Sequence, residues 1–173
     1  MIVKRIFYIF ACVFAIAFNG NAQEKTKVVV NGLRLDNVYS REQMYEALGG
    51  VPDKIEEHPE YKEHYSFYYG KDVFYWDKLD CPDKNGILGH GFGGCRLYTD
   101  RYVVFDSIRV GDPIEKLKTL GGILKDYCDE GVCTIRWRQS NAPEFAFIVV
   151  EFDYKETDLT KIITCINIYV HFI

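Results

Sequence analysis

Apolar and polar residues alternate in several short stretches of this chain, and strand-forming side chains fill them. Tyr65-Ser-Phe-Tyr-Tyr69 and Val73-Phe-Tyr-Trp-Asp77, separated by Gly70-Lys71-Asp72, predict a β-hairpin. Further strands are expected at 96–99, 102–110, 134–139, 145–154 and 161–172, with a short one at 28–30 followed by Leu33 and Leu35 at alternate positions. Residues 51–64 carry Pro52, Pro59 and many charges, which predicts a turn and one short helical piece.

Two stretches interrupt the alternation with helix signals. At 40–50 the chain reads SREQMYEALGG and at 112–122 DPIEKLKTLGG. Ser40 and Asp112 suit the N-cap, Gln43 and Glu115 the capping-box position, and Pro113 the first helical turn. Both stretches end in Leu-Gly-Gly, where glycine can close a helix in the left-handed conformation. The two lie 72 residues apart, which reads as a duplication. Aligning 161–168 with 101–108 at an offset of 60 gives the first unit about 12 extra residues, which fit the glycine-rich loop between Cys81 and Cys95. The expected fold is α+β: two tandem helix-plus-antiparallel-sheet units, about 31–107 and 108–173, sharing one sheet with the helices on one face.

Composition changes this picture at the N-terminus. Lys4 and Arg5 precede an apolar run at 6–18 that ends in Gly20-Asn21-Ala22, the pattern of a secretory leader cut after Ala22. The run has 13 residues, where a spanning helix needs about 20, so no stable membrane anchor is expected after removal of the leader. The mature chain would then have 151 residues, a single domain's length, and a formal charge of −6. No nucleic-acid partner is expected at that charge, and a periplasmic or secreted location is expected.

Export makes cysteine pairing the default. Cys128-Asp-Glu-Gly-Val-Cys133 predicts a bridged hairpin, and a Cys81 to Cys95 bridge would close a 13-residue loop. A loop of that size gives about 3 kcal/mol on the chain-entropy model. Cys165 is left as a buried thiol.

Strand parity labels a candidate binding face. Arg136 and Arg138 alternate with Ile135 and Trp137, and Tyr68 and Arg96 oppose Phe67 and Leu97. The outward set is Tyr68, Arg96, Tyr98, Arg136 and Arg138, with Tyr75 or Trp76 as further candidates. Tyr, Trp and Arg dominate binding hot spots, although strands are rich in aromatics for packing reasons alone. The loop PDKNGILGHGFGG offers Ile87, Leu88 and Phe92 as an apolar tip; a plain flexible insertion is the competing reading.

An enzyme reading would use Cys95 as a thiol nucleophile and His90 as its base. His58, Glu60 and His64 match no familiar zinc spacing, and Pro59 prevents one helix from presenting both histidines, so no metal is expected. The chain has no phosphate-binding loop, dinucleotide fingerprint, serine elbow or EF-hand motif, and no cofactor is expected.

The segments Ile108-Arg-Val-Gly-Asp112 with Leu120-Gly-Gly122, echoed by Val38-Tyr-Ser40 with Leu48-Gly-Gly50, resemble the tandem-repeat fold of the secreted β-lactamase inhibitor proteins. The single unit is similar to the small outer-membrane lipoproteins of the SmpA/OmlA type. The resemblance implies a non-catalytic module that grips another envelope or extracellular protein on its open sheet face, with one disulfide in each unit. A small thiol hydrolase using Cys95 and His90, or a carrier of a small ligand, are the alternative readings.

Overall fold

In the computed structural model, residues 28–35, 37–79, 82, 83, 85–129, 132–138, 146–156 and 161–172 are described. The predicted leader at 1–22 lies outside them. The strands are β1 (Val29–Val30), β2 (Leu33–Arg34), β3 (Lys54–Glu57), β4 (His64–Tyr69), β5 (Asp72–Lys78), β6 (His90–Leu97), β7 (Ile123–Asp129), β8 (Val132–Arg138), β9 (Ala146–Glu156) and β10 (Lys161–Phe172). The first two form a small hairpin, and the other eight build one antiparallel sheet in the order β3-β4-β5-β6-β10-β9-β8-β7. Four strands run inward from one edge and four from the other. At the centre Cys95 of β6 lies opposite Ile168 of β10, and Leu97 opposite Ile166.

This architecture corrects the predicted α+β arrangement of two helix-plus-sheet units. The fold is mostly antiparallel β, and among the described residues its helices are two short pieces: α1 (Arg41–Leu48) and a 3-10 helix, Ile114–Thr119. The first keeps its predicted signals. Ser40 N–H donates to Gln43 Oε1 at 2.8 Å, Gln43 N–H donates to Ser40 Oγ at 3.3 Å, and Gly49 closes the helix in the left-handed conformation.

At the second, Asp112 does not cap. Its carboxylate accepts from the Arg109 N–H at 2.8 Å and from Lys116 Nζ at 2.9 Å, which leaves Pro113 as a cap without a side-chain hydrogen bond. The backbone then closes in three-residue steps, Lys116 N–H to Pro113 O and Leu120 N–H to Leu117 O.

Two further expectations give way. The predicted strand at 102–110 is a series of turns, with Phe105 and Asp106 at positive φ and Val104 bridging to both Val30 and Ile108. It therefore cannot be the counterpart of β10. The glycine-rich segment, read as a loop up to Cys95, enters β6 at His90 in the interior of the sheet. Three of its glycines are there for space: a Cβ on Gly91 would lie 2.6 Å from the Asn37 carbonyl oxygen. Gly93 is the extra residue where the β5–β6 register slips, and a side chain on it would overlap the Asp77 carboxylate. Gly94 has φ +144°, and a Cβ on it would overlap the Ile168 carbonyl oxygen of β10.

The registers sort the sheet into two faces. Phe67 pairs with Phe74, Phe74 with Cys95, Cys95 with Ile168, Ile168 with Val150 and Val150 with Trp137, so all of these point the same way. Onto this face pack Met44 and Leu48 of α1, Leu117 of the 3-10 helix, Val30, Leu33, Tyr102, Val104 and Ile108, in one core cluster. Phe67, Phe74, Phe92 and Phe152 are fully buried, each stabilising the fold by about 1.5–3 kcal/mol. Aromatic contacts tie helix to sheet, as between Tyr45 and Phe67, whose ring centroids are 5.5 Å apart.

Candidate functional site

The opposite face of the sheet carries no packed element among the described residues. Val149 and Cys165 sit on it, buried by their strand neighbours yet outside the core cluster. Val73 and Ile162 share it too, and most of the remaining positions are polar or aromatic, with cross-strand pairs knitting them together. At one edge Tyr68 O–H donates to Glu56 Oε2 at 2.6 Å, while Lys54 forms an ion pair with Glu56 and lies over the Tyr68 ring. The hydrogen bond to Glu56 pushes the Tyr68 phenol up, and Lys54 and Tyr68 together hold the Glu56 carboxyl down.

Where β4 begins and β5 nears its end, His64 Nδ1 lies 3.1 Å from Asp77 Oδ1. Burial raises the Asp77 carboxyl above its ordinary range, against the opposing pull of His64. In the second half Arg136 donates to Glu151 Oε1 from Nε at 2.9 Å and stands over the Tyr127 ring at 5.2 Å. Thr134 Oγ1 donates to Asp153 Oδ1 at 2.7 Å. Tyr169 also faces this side, its phenol pushed up to about 12 by burial first and Glu151 second.

The middle of the face belongs to Arg96, on β6. Its Nε donates to Asn167 Oδ1 at 2.7 Å, a contact that crosses the central strand pair. Tyr75, from β5, lies on the same side, and Tyr98 follows two residues after Arg96 with 44% of its surface exposed. Buried Asp72 holds Tyr98 in place. Its carboxylate accepts from the Tyr98 N–H at 2.6 Å, the Thr99 N–H at 3.0 Å and the Thr99 hydroxyl, which fixes the chain as it leaves the sheet.

Of the residues singled out from sequence, Tyr68, Tyr75, Arg96, Tyr98, Arg136 and Arg138 share this face. Trp76 does not. It pairs with Tyr65 and Phe92 on the core side, where its indole N–H donates to the Tyr39 carbonyl at 2.9 Å and Arg41 lies over its ring. Phe92 is likewise in the core, because β6 begins before it. Ile87 and Leu88 remain exposed, at 51% and 65%. The turn bearing them is firm: Asp83 Oδ1 accepts from the N–H groups of Asn85 and Ile87. Tyr127, Asn167 and Tyr169 were missed, although the parity of β10 places Asn167 and Tyr169 opposite Ile166 and Ile168.

The cysteines also depart from expectation. Cys95 is a buried free thiol, so it does not bridge to Cys81, which lies outside the described residues. Its position in a central strand, facing Phe74 and Ile168, turns it into the core. Burial pushes that thiol well above its ordinary range, and Cys165 up to about 11 for the same first reason.

A Cys95 and His90 dyad has no geometry here. Four strand residues lie between the two, a span of five steps or roughly 16 Å, with Phe92 among them, and His90 stacks on Trp76 at 4.2 Å. The register places Cys128 directly opposite Cys133 in the β7–β8 hairpin. Among the described residues no group of histidines, cysteines and carboxylates is arranged to hold a metal ion. No helix of the described residues is long and apolar enough to cross a membrane.

No protein-family model, curated protein or solved structure matches the chain. The uncovered face is therefore interpreted from its own chemistry.

Proposed function

We propose that this chain is an exported, non-catalytic binding module that takes an envelope or extracellular protein on the uncovered face of its eight-stranded sheet. The observation that carries the reading is the clustering of Tyr68, Tyr75, Arg96 and Tyr98 on the adjacent strands β4, β5 and β6 and just beyond them, on a face where no described element packs. These residue types bury much area for little lost side-chain freedom, and a rigid sheet holds them in register. The thiol-enzyme alternative is disfavoured by the separation of Cys95 from His90. A Cys128 to Cys133 bridge, in keeping with export, belongs to the same proposal.

The test is affinity capture from the native envelope with the wild-type chain and with a Tyr68→Ala/Tyr98→Ala variant. Both changes lie at the surface, so the unfolding midpoint should move little, by about 0.5 kcal/mol per site. Two hot-spot tyrosines are worth about 2 kcal/mol each, enough to weaken a captured partner by two to three orders of magnitude. Capture of the same protein by the variant at undiminished affinity refutes the reading.

A further inference from the structure

The chain is acidic overall, with 25 Asp and Glu against 21 Lys and Arg. Its uncovered face runs the other way. Among the described residues Lys54, Lys125 and Lys155 join Arg96, Arg136 and Arg138 there, against the carboxylates of Glu56, Asp77, Glu151 and Asp153 and, by strand register, Asp129. The first four of these already have a partner on the face. Lys54 and Tyr68 hold Glu56, His64 holds Asp77, Arg136 holds Glu151, and Thr134 holds Asp153.

Arg96 is different. Its Nε is engaged by a neutral amide oxygen, that of Asn167, and its near neighbours on the face are the phenols of Tyr75 and Tyr98. An arginine side chain stays protonated at any working pH and offers five N–H donors in a planar fork. A protein that covered the middle of this face would strip water from that cation. Burying an unmatched charge costs several kcal/mol, so such docking needs an anion supplied from the other side.

We propose that the partner delivers an Asp or Glu carboxylate to Arg96, with Tyr75 and Tyr98 packing against the apolar part of the segment that carries it. This rests on the reading that the face receives a protein. It adds the chemistry of the contact: an acidic residue at the centre of the interface, set among side chains that can lie flat on tyrosine. Asn167 holds the guanidinium on this face through its bond to Nε, and Tyr98 bonds the same side chain.

The test uses the isotopically labelled full chain, titrated with an N-acetylated, C-amidated glutamate hexapeptide and with its glutamine counterpart. The glutamate peptide should move the Arg96 Nε–H signal and the Tyr75 and Tyr98 signals saturably, and the glutamine peptide should not. Arg96→Gln should weaken glutamate-peptide binding about tenfold or more, the scale of a hydrogen bond to a charged group. Arg96→Lys should keep part of it, and also serves if the glutamine variant does not fold.

Equal binding of the two peptides overturns the carboxylate assignment and leaves the protein-binding face standing. Shifts confined to Lys54, Lys125 or Lys155 overturn it as well, as does preferential binding of inorganic polyphosphate at Arg96. Once a partner is captured, binding that survives Arg96→Gln but not the Tyr68/Tyr98 change refutes this inference alone. Binding that survives both refutes the proposed function too.

Discussion

Replacing Gly94 with alanine probes the junction of β6 and β10 directly. The residue has φ +144°, which side chains rarely adopt, and the added methyl would overlap the Ile168 carbonyl oxygen and lie 3.1 Å from its carbon. The backbone term is about 1–3 kcal/mol, and forcing a methyl into a packed contact adds about another 1–3 kcal/mol. Relief would require β6 to move away from β10, loosening the Arg96 and Asn167 contact that spans the same strand pair.

A loss of about 3–5 kcal/mol is therefore expected, a large fraction of the 5–15 kcal/mol that holds a typical domain together. Gly86→Ala is the control, because Gly86 has φ +78° but nothing near its missing Cβ, so it reports the backbone term alone. Equilibrium urea unfolding gives both values, with the slope checking that the unfolded states are comparable. Equal losses for the two variants would refute the argument that close approach of β10 is what requires glycine at 94.

Two other expectations follow from the ionisation pattern. Cys95 and Cys165 should resist alkylation near neutral pH in the native chain and react promptly in denaturant, since burial keeps both thiols protonated; rapid native labelling of Cys95 would restore a reactive-thiol reading. The Asp77 carboxyl is raised by burial, so the folded state favours its neutral form. The stability it contributes is full below the ordinary aspartate range near 3.8 and is lost as pH rises through the folded value. Asp77→Asn should then cost little stability, or gain some, at neutral pH compared with acid pH. Thermal melts across that range check it, and a larger loss at neutral than at acid pH would show that the His64 pair outweighs burial.

The strands that alternate clearly were legible, and so was the polarity of their faces. The hairpin at 65–77, the arginines of β8 and the whole of β10 could be read because one side is buried and the other is not. β3 could not. Its four residues are all exposed, and it is a strand only because the edge of β4 offers backbone groups to pair with. The stretch at 102–110 misled in the opposite sense. Tyr102, Val104 and Ile108 are buried at even spacing, but the turns between them lay the chain over the core as a cover rather than a ladder.

Glycines hid β6, since residues chosen for close strand approach look like loop residues in a sequence. Local hairpin geometry left the choice between Tyr75 and Trp76 open. The pairing of Trp76 with Phe92 across a bulge settles it, and that pairing depends on contacts distant in sequence.

The meeting of β6 with β10 also fixes an order of events during synthesis. Arg96 and Asn167 are 71 residues apart, so at ribosomal speeds of about 5–20 residues per second β6 waits roughly 4–14 s for its neighbour. During that interval β3 to β6 present a bare inner edge with Phe74, Phe92 and Leu97 behind it, an open template for any other extended chain. A chain built this way gains from being kept unfolded until β10 has emerged.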